Sequence, residues 1–77
     1  MLDLNDLRVF ERVAALRSFS AASRALEQPK SSVSRSVALL ETELGTRLLQ
    51  RSTREVVLTE AGMLLRTRCV DILASIG

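Results

Sequence analysis

Apolar positions recur at helical spacing through the first part of the chain. Over residues 4–16, Leu7, Phe10, Val13 and Ala14 fall on one face, which predicts an amphipathic helix. Asn5 is placed to cap it, with Leu4 and Val9 set for a hydrophobic staple. Residues 17–20 break the pattern, and Ser20 opens a second, short helix to about Glu27. Its buried side is expected to be Ala21, Ala22, Ala25 and Leu26, where small alanines permit close approach of another helix. Residues 28–30 read as a turn. Pro29 is tolerated there because the first N–H groups of a helix have no intrahelical partner. A third helix over residues 31–44 carries Val33, Val37, Leu40 and Leu44 at i, i+4, i+7 and i+11, a single stripe that Gly45 ends.

The pattern then changes. Residues 47–51 and 55–58 are short segments, the second rich in valine, on either side of the polar turn 52–54. They predict a two-stranded hairpin. Thr59 can cap a fourth helix that runs to the end. Ala61, Leu65, Cys69, Ile72 and Ile76 share one stripe of it, and Met63, Val70 and Ala74 form another, nearly opposite. One stripe suffices to pack on the domain, so the second points to a partner helix. The order of elements predicts a mainly α fold of the winged helix-turn-helix type: a three-helix core, a two-stranded wing and a long C-terminal linker helix. Residues 1–58 are expected to form the body and 59–77 the linker. Gly77 follows the last helix without an end signal, so the chain is expected to be cut short of a further domain.

Composition narrows the function. Seventy-seven residues, 47% of them hydrophobic, make one small folded domain with a limited core. The single cysteine excludes an internal disulfide or a cysteine-based zinc site and suits a reducing cytoplasm. There is no histidine, Cys69 has no base beside it, and no glycine-rich phosphate cradle occurs, so an enzyme is not expected. No cofactor is implied. No apolar run approaches the roughly 20 residues that span a bilayer.

Net charge is only +2, but it is unevenly spread. Residues 1–19 balance, and so do 59–77. Residues 28–54 set Lys30, Arg35, Arg47, Arg51 and Arg54 against Glu41 and Glu43, a local excess of +3. If Val33, Val37 and Leu40 face the core, Ser32, Arg35, Ser36 and Leu39 face outward. Short polar side chains and arginine on a helix suit the DNA major groove. The competing function is a protein-interaction module, supported by the doubled stripe of the last helix. A serine-rich face lacks the large apolar anchors such a module needs.

The segments "LNDLRVFERVAALRSFSAASRAL", "VSRSVALLETELGTRLLQR" and "VVLTEAG" resemble the N-terminal DNA-binding domain of LysR-type transcriptional regulators. They cover nearly the whole chain, in order. The resemblance implies a bacterial regulator that binds double-stranded operator DNA. Helix 31–44 would enter the major groove, with the wing, residues 52–55, at the minor groove or phosphates. It implies a homodimer through the 59–77 helix, and a small-molecule inducer bound by a domain outside this chain. The family's third helix usually begins Ser-Gln-Pro, whereas this chain has Pro29, Lys30 and Ser31, so its reading residues differ. Leu39 stands where the family is often polar.

The candidate DNA contacts are Lys30, Ser31, Ser32, Ser34 and Arg35 on the third helix, Arg51, Thr53 and Arg54 on the wing, and Ser20 on the second helix. Lys30 and Arg35 can donate to guanine O6 and N7 or to phosphate. Among the serines, one is expected to cap the helix while the others meet DNA. Arg54 at the wing tip suits a narrow minor groove. Arg47 and Arg51 are phosphate or structural residues. Ser20 and Ser23 open helix two near phosphate, unless Ser20 only caps. Phe10, Phe19, Val33, Val37 and Leu40 are read as core, and Cys69 as a small packed residue.

Overall fold

The structure, a computed structural model, describes residues 2–50 and 54–76. Four helices follow one another: α1 (Leu4–Leu16), α2 (Phe19–Leu26), α3 (Lys30–Leu44) and α4 (Glu60–Ile76). Helix α1 packs against all three others, and α2 packs on α3. The hub is therefore α1. This is why α1 buries a broad arc, Leu7, Val9, Phe10, Val13 and Ala14, instead of one narrow stripe.

The core gathers Phe10, Val13, Val33, Val37, Leu40, Leu48 and Cys69 in near-complete burial. Burying a side chain such as Phe10 or Leu40 contributes about 1.5–3 kcal/mol. Phe19 and Leu26 are only half-buried and pack on the rim of this core. Ala22 is the buried alanine of α2, while Ala25 is exposed. An eight-residue helix turns too narrow a face inward to bury all four predicted residues. Leu44, last in the α3 stripe, is 41% exposed.

Three caps differ from expectation. The Asp3 carboxylate, not Asn5, begins α1 and accepts from Asn5 N at 2.7 Å. This moves the staple pair to Leu2 and Leu7 and leaves Leu4 exposed. Ser18, not Ser20, caps α2, its Oγ accepting from Ala21 N at 3.0 Å. Helix α3 begins after Pro29 with no side-chain cap, so none of Ser31, Ser32 and Ser34 serves there. Gly45 ends α3 at φ 67°. Thr59 does cap α4: its Oγ1 accepts from Gly62 N at 3.0 Å and donates to Arg47 O at 2.6 Å.

Between α3 and α4 the chain returns on itself, but no strand forms among the described residues. Pairing is one antiparallel bridge, Leu49 with Leu58, flanked by Gln50 N to Val57 O at 2.9 Å and Thr59 N to Leu48 O at 3.0 Å. The ladder does not extend backward because the amide of Leu48, its next donor, is already engaged, as is the outward-facing amide of Leu49. Both donate to the Glu41 carboxylate, at 2.8 and 3.3 Å. Arg51, Ser52 and Thr53, the middle of the predicted wing, lie outside the described residues.

On α4, Cys69 is buried and Ala61 and Leu65 pack on the core. The other stripe is outward: Met63, Val70 and Ala74 are exposed, joined by Leu64 at 61% exposure. Ile72 of the first stripe is also exposed. Among the described residues no helix is long and apolar enough to cross a membrane.

Burial, and secondarily the charge of Glu11, pushes the Cys69 thiol up to about 11. Below its ordinary value of 9.0 the thiol is protonated in folded and unfolded chains alike. Above that, the unfolded chain loses its proton first, so folding stability falls as pH rises from about 9 through about 11. Urea unfolding at pH 8 and pH 10.5 is expected to show this fall in the wild type. Cys69→Ala should show a smaller one. Equal alkaline losses in both proteins would remove the assignment.

Candidate nucleic-acid interface

Helices α2 and α3 are joined through residues 27–29. With no glycine in this turn, Glu27 takes the left-handed conformation at φ 54°. The turn is held by Ser23, whose Oγ donates to Gln28 O at 2.5 Å while Gln28 N donates to Ser23 O at 3.1 Å. Ser23 is therefore a turn residue, its hydroxyl proton committed within the domain.

Burying Val33, Val37 and Leu40 turns the opposite side of α3 outward. Lys30, Ser31, Ser34 and Arg35 are exposed and Ser32 is half-buried. Leu39 is 48% exposed on the same helix. Ser36 departs from expectation and is buried, at 7% exposure. It neighbours Val37 and sits one turn after Val33, so it falls at the edge of the core face. With no side-chain cap hydrogen bond, α3 begins at the exposed residues Pro29, Lys30 and Ser31, where the positive end of its dipole favours anions.

The fold also assembles charge that sequence windows kept apart. A shallow cleft of about 510 Å³ is lined by Arg17, Ser20, Lys30, Arg54 and Glu55, with Phe19 at its wall. Ser20, Lys30 and Arg54 were each expected to face DNA, and they come together here. Arg17 was not expected, because the first 19 residues balance in charge. The usable signal was its place beside the α2 cap. Among the described residues, no ion pair holds Arg17, Lys30 or Arg54. Arg51 and Thr53 lie outside the described residues.

Other charges are committed elsewhere. Arg12 is doubly bonded to Glu11, Nε to Oε1 at 2.8 Å and Nη2 to Oε2 at 3.2 Å. These bonds and the carboxylate charge raise the Arg12 pKa further above its ordinary range. Arg47 lies 3.9 Å from Glu41 and is largely exposed, a loose pair of little energetic weight. Glu41 was counted only as a charge in the sequence. Its buried carboxylate instead fastens residues 48 and 49 to the end of α3 and so fixes where the bridge begins. No group of three or more metal-ligating side chains is found among the described residues.

A short turn joining α2 to an outward-facing α3, with α1 packed across both, defines a helix-turn-helix domain. Residues 4–63 match the family of bacterial regulatory helix-turn-helix proteins, lysR family, and the chain belongs to that family. It is 51% identical over 70 residues to an HTH-type transcriptional regulator of Xanthomonas campestris, covering 91% of this chain and 20% of that protein. It is 46% identical over 66 residues to the HTH-type transcriptional activator AaeR of Escherichia coli, covering 86% of this chain and 21% of AaeR. The chain thus spans about a fifth of the length of these curated relatives. Among solved structures, the BenM DBD in complex with catB site 1 DNA superposes with a TM-score of 0.91 at 32% identity, over 96% of this chain and 82% of that one. Corynebacterium glutamicum OxyR, as its C206S mutant, superposes with a TM-score of 0.92 at 34% identity, over 99% of this chain and 24% of that one.

Proposed function

We propose that the chain is the DNA-binding domain of a lysR-family transcription regulator that binds double-stranded operator DNA in a sequence-specific way. Helix α3 enters the major groove, and the wing, residues 52–55, reaches the minor groove or its phosphates. The observation that carries this reading is the division of α3: Val33, Val37 and Leu40 are buried while Lys30, Ser31, Ser34 and Arg35 are exposed. The likeness to BenM, a protein solved with DNA, supports it. Arg35 reads guanine, Lys30 and the exposed serines read bases or hold phosphates, and Leu39 suits a thymine methyl. Ser20, Arg51, Thr53 and Arg54 contact the backbone or the adjacent minor groove.

The exposed apolar side of α4, including Met63, Leu64 and Val70, supports pairing of the 59–77 helix with its copy in a homodimer. Two-fold symmetry then calls for a pseudo-palindromic operator. Any inducer is assigned to a domain outside residues 1–77, and the setting to the bacterial cytoplasm.

Selection of bound duplexes from random DNA would report half-site, spacing and symmetry together. On the selected site, Arg35→Ala is expected to weaken binding by about 1–3 kcal/mol, the value of a bidentate base contact. Arg54→Ala should lose affinity chiefly where A·T pairs flank the half-site. Gel shifts in which both variants bind like wild type would remove this interface.

A further inference from the structure

We infer that Arg17 is a DNA-contacting residue: with Lys30 and Arg54 it forms a three-cation seat for backbone phosphate at the start of α2. This rests on the DNA-binding reading above and adds a contact outside both the helix-turn-helix and the wing. Three observations carry it. The cleft sets Arg17, Lys30 and Arg54 against the single acid Glu55, so its lining is net positive. Among the described residues none of the three cations is spent on an ion pair. Cations gathered in one concavity repel each other unless an anion lies between them, and phosphate is the anion that DNA brings.

The third observation is the backbone of Arg17 itself. It closes α1 in the left-handed conformation, at φ 52° and ψ 38°, with its amide donating to Val13 O at 2.8 Å. Glycine occupies this region without steric cost, whereas a side chain with a Cβ does not. Folding alone would therefore favour glycine here. Arginine at such a position instead sets a guanidinium on the wall of the basic cleft at a conformational cost.

Binding and folding therefore pull in opposite directions at this position. Arg17→Gly is expected to melt higher than wild type, because the strain is relieved, and yet to bind operator DNA less tightly. Losing one phosphate contact should lower the steepness of log Kobs against log[salt] by about 0.9, which amounts to about a three- to fourfold loss at 50 mM salt relative to 200 mM. Arg17→Gln, which removes the charge without freeing the backbone, should lower the slope equally. Arg17→Lys should retain most of it. The measurement is fluorescence anisotropy of a labelled operator duplex from 50 to 200 mM salt, paired with thermal melts. Wild-type slopes in Arg17→Gly and Arg17→Gln overturn the seat while leaving the DNA reading intact. A wild-type protein that fails to bind duplex DNA overturns both.

Discussion

Glu41→Ala is expected to destabilise the domain by about 2–4 kcal/mol. The Glu41 carboxylate is buried and accepts from two buried amides, Leu48 N at 2.8 Å and Leu49 N at 3.3 Å. Alanine leaves both donors in the interior without that acceptor. An unsatisfied buried donor costs about 1–3 kcal/mol, more where the lost acceptor was charged. Relief from burying a carboxylate offsets part of this, which sets the lower end of the range. A domain of this size has a total stability of about 4–11 kcal/mol, so the loss is a large share of it. Glu41→Gln keeps an acceptor oxygen without the charge and is expected to fall between the two. Urea unfolding of the three proteins checks the order. An unchanged midpoint for Glu41→Ala would mean the carboxylate does not organise this junction.

The second large effect is at Gly62. A Cβ there would press on the carbonyl oxygen of Leu48, with the carbonyl carbon 3.1 Å and the Cα 3.4 Å away. All three are backbone atoms, so no side chain can swing aside. Glycine-to-alanine inside a helix ordinarily gains about 1 kcal/mol. Here the overlap must displace either α4 or residues 47–49, and forced overpacking costs about 1–3 kcal/mol, occasionally more. The same carbonyl accepts from Thr59 N at 3.0 Å, so displacement also loosens the start of α4. The net expectation for Gly62→Ala is a loss of about 2 kcal/mol, seen as a melting point lower by about 8–16 °C. A melting point at or above that of wild type would show that α4 does not press closely on Leu48 at this glycine.

Both predictions fall on one junction. Glu41 holds the amides of residues 48 and 49, and Thr59 holds the carbonyls of residues 47 and 48 through its hydroxyl and amide. Gly62 lets α4 lie against the same turn of chain. The bridge of Leu49 with Leu58 stands on this support, and the proposed wing grows from the bridge. Substitutions here should therefore loosen the junction and the bridge it carries.

Much of the helical layout was legible in the residues. Helix α1 has the predicted span, α3 ends at the predicted glycine, and Thr59 caps α4, because each signal is local. The outward Arg35 was legible for the same reason: Val33, Val37 and Leu40 are apolar at helical spacing, and Arg35 falls on the opposite side of the helix. The first caps were less legible. Asp3 and Asn5 both suit an N-cap, as do Ser18 and Ser20. The choice depends on which residue leaves the helix, and that is set by how Leu2 and Phe19 pack on the core. Ser36 was misplaced because a stripe read at single-residue resolution has no edge, whereas a packed helix buries a band.

Sequence by itself determined the number and kind of helices, the turn between the second and third, and the polar, arginine-bearing side of α3. All follow from interactions between residues within about one helical turn of each other. Tertiary structure decided the rest. It made α1 the hub, turned Glu41 from a surface charge into an internal fastener, and brought Arg17 beside Lys30 and Arg54 across gaps of more than ten residues. Contacts of that range depend on how helices cross and where the chain returns, and no local spacing of residues encodes those angles.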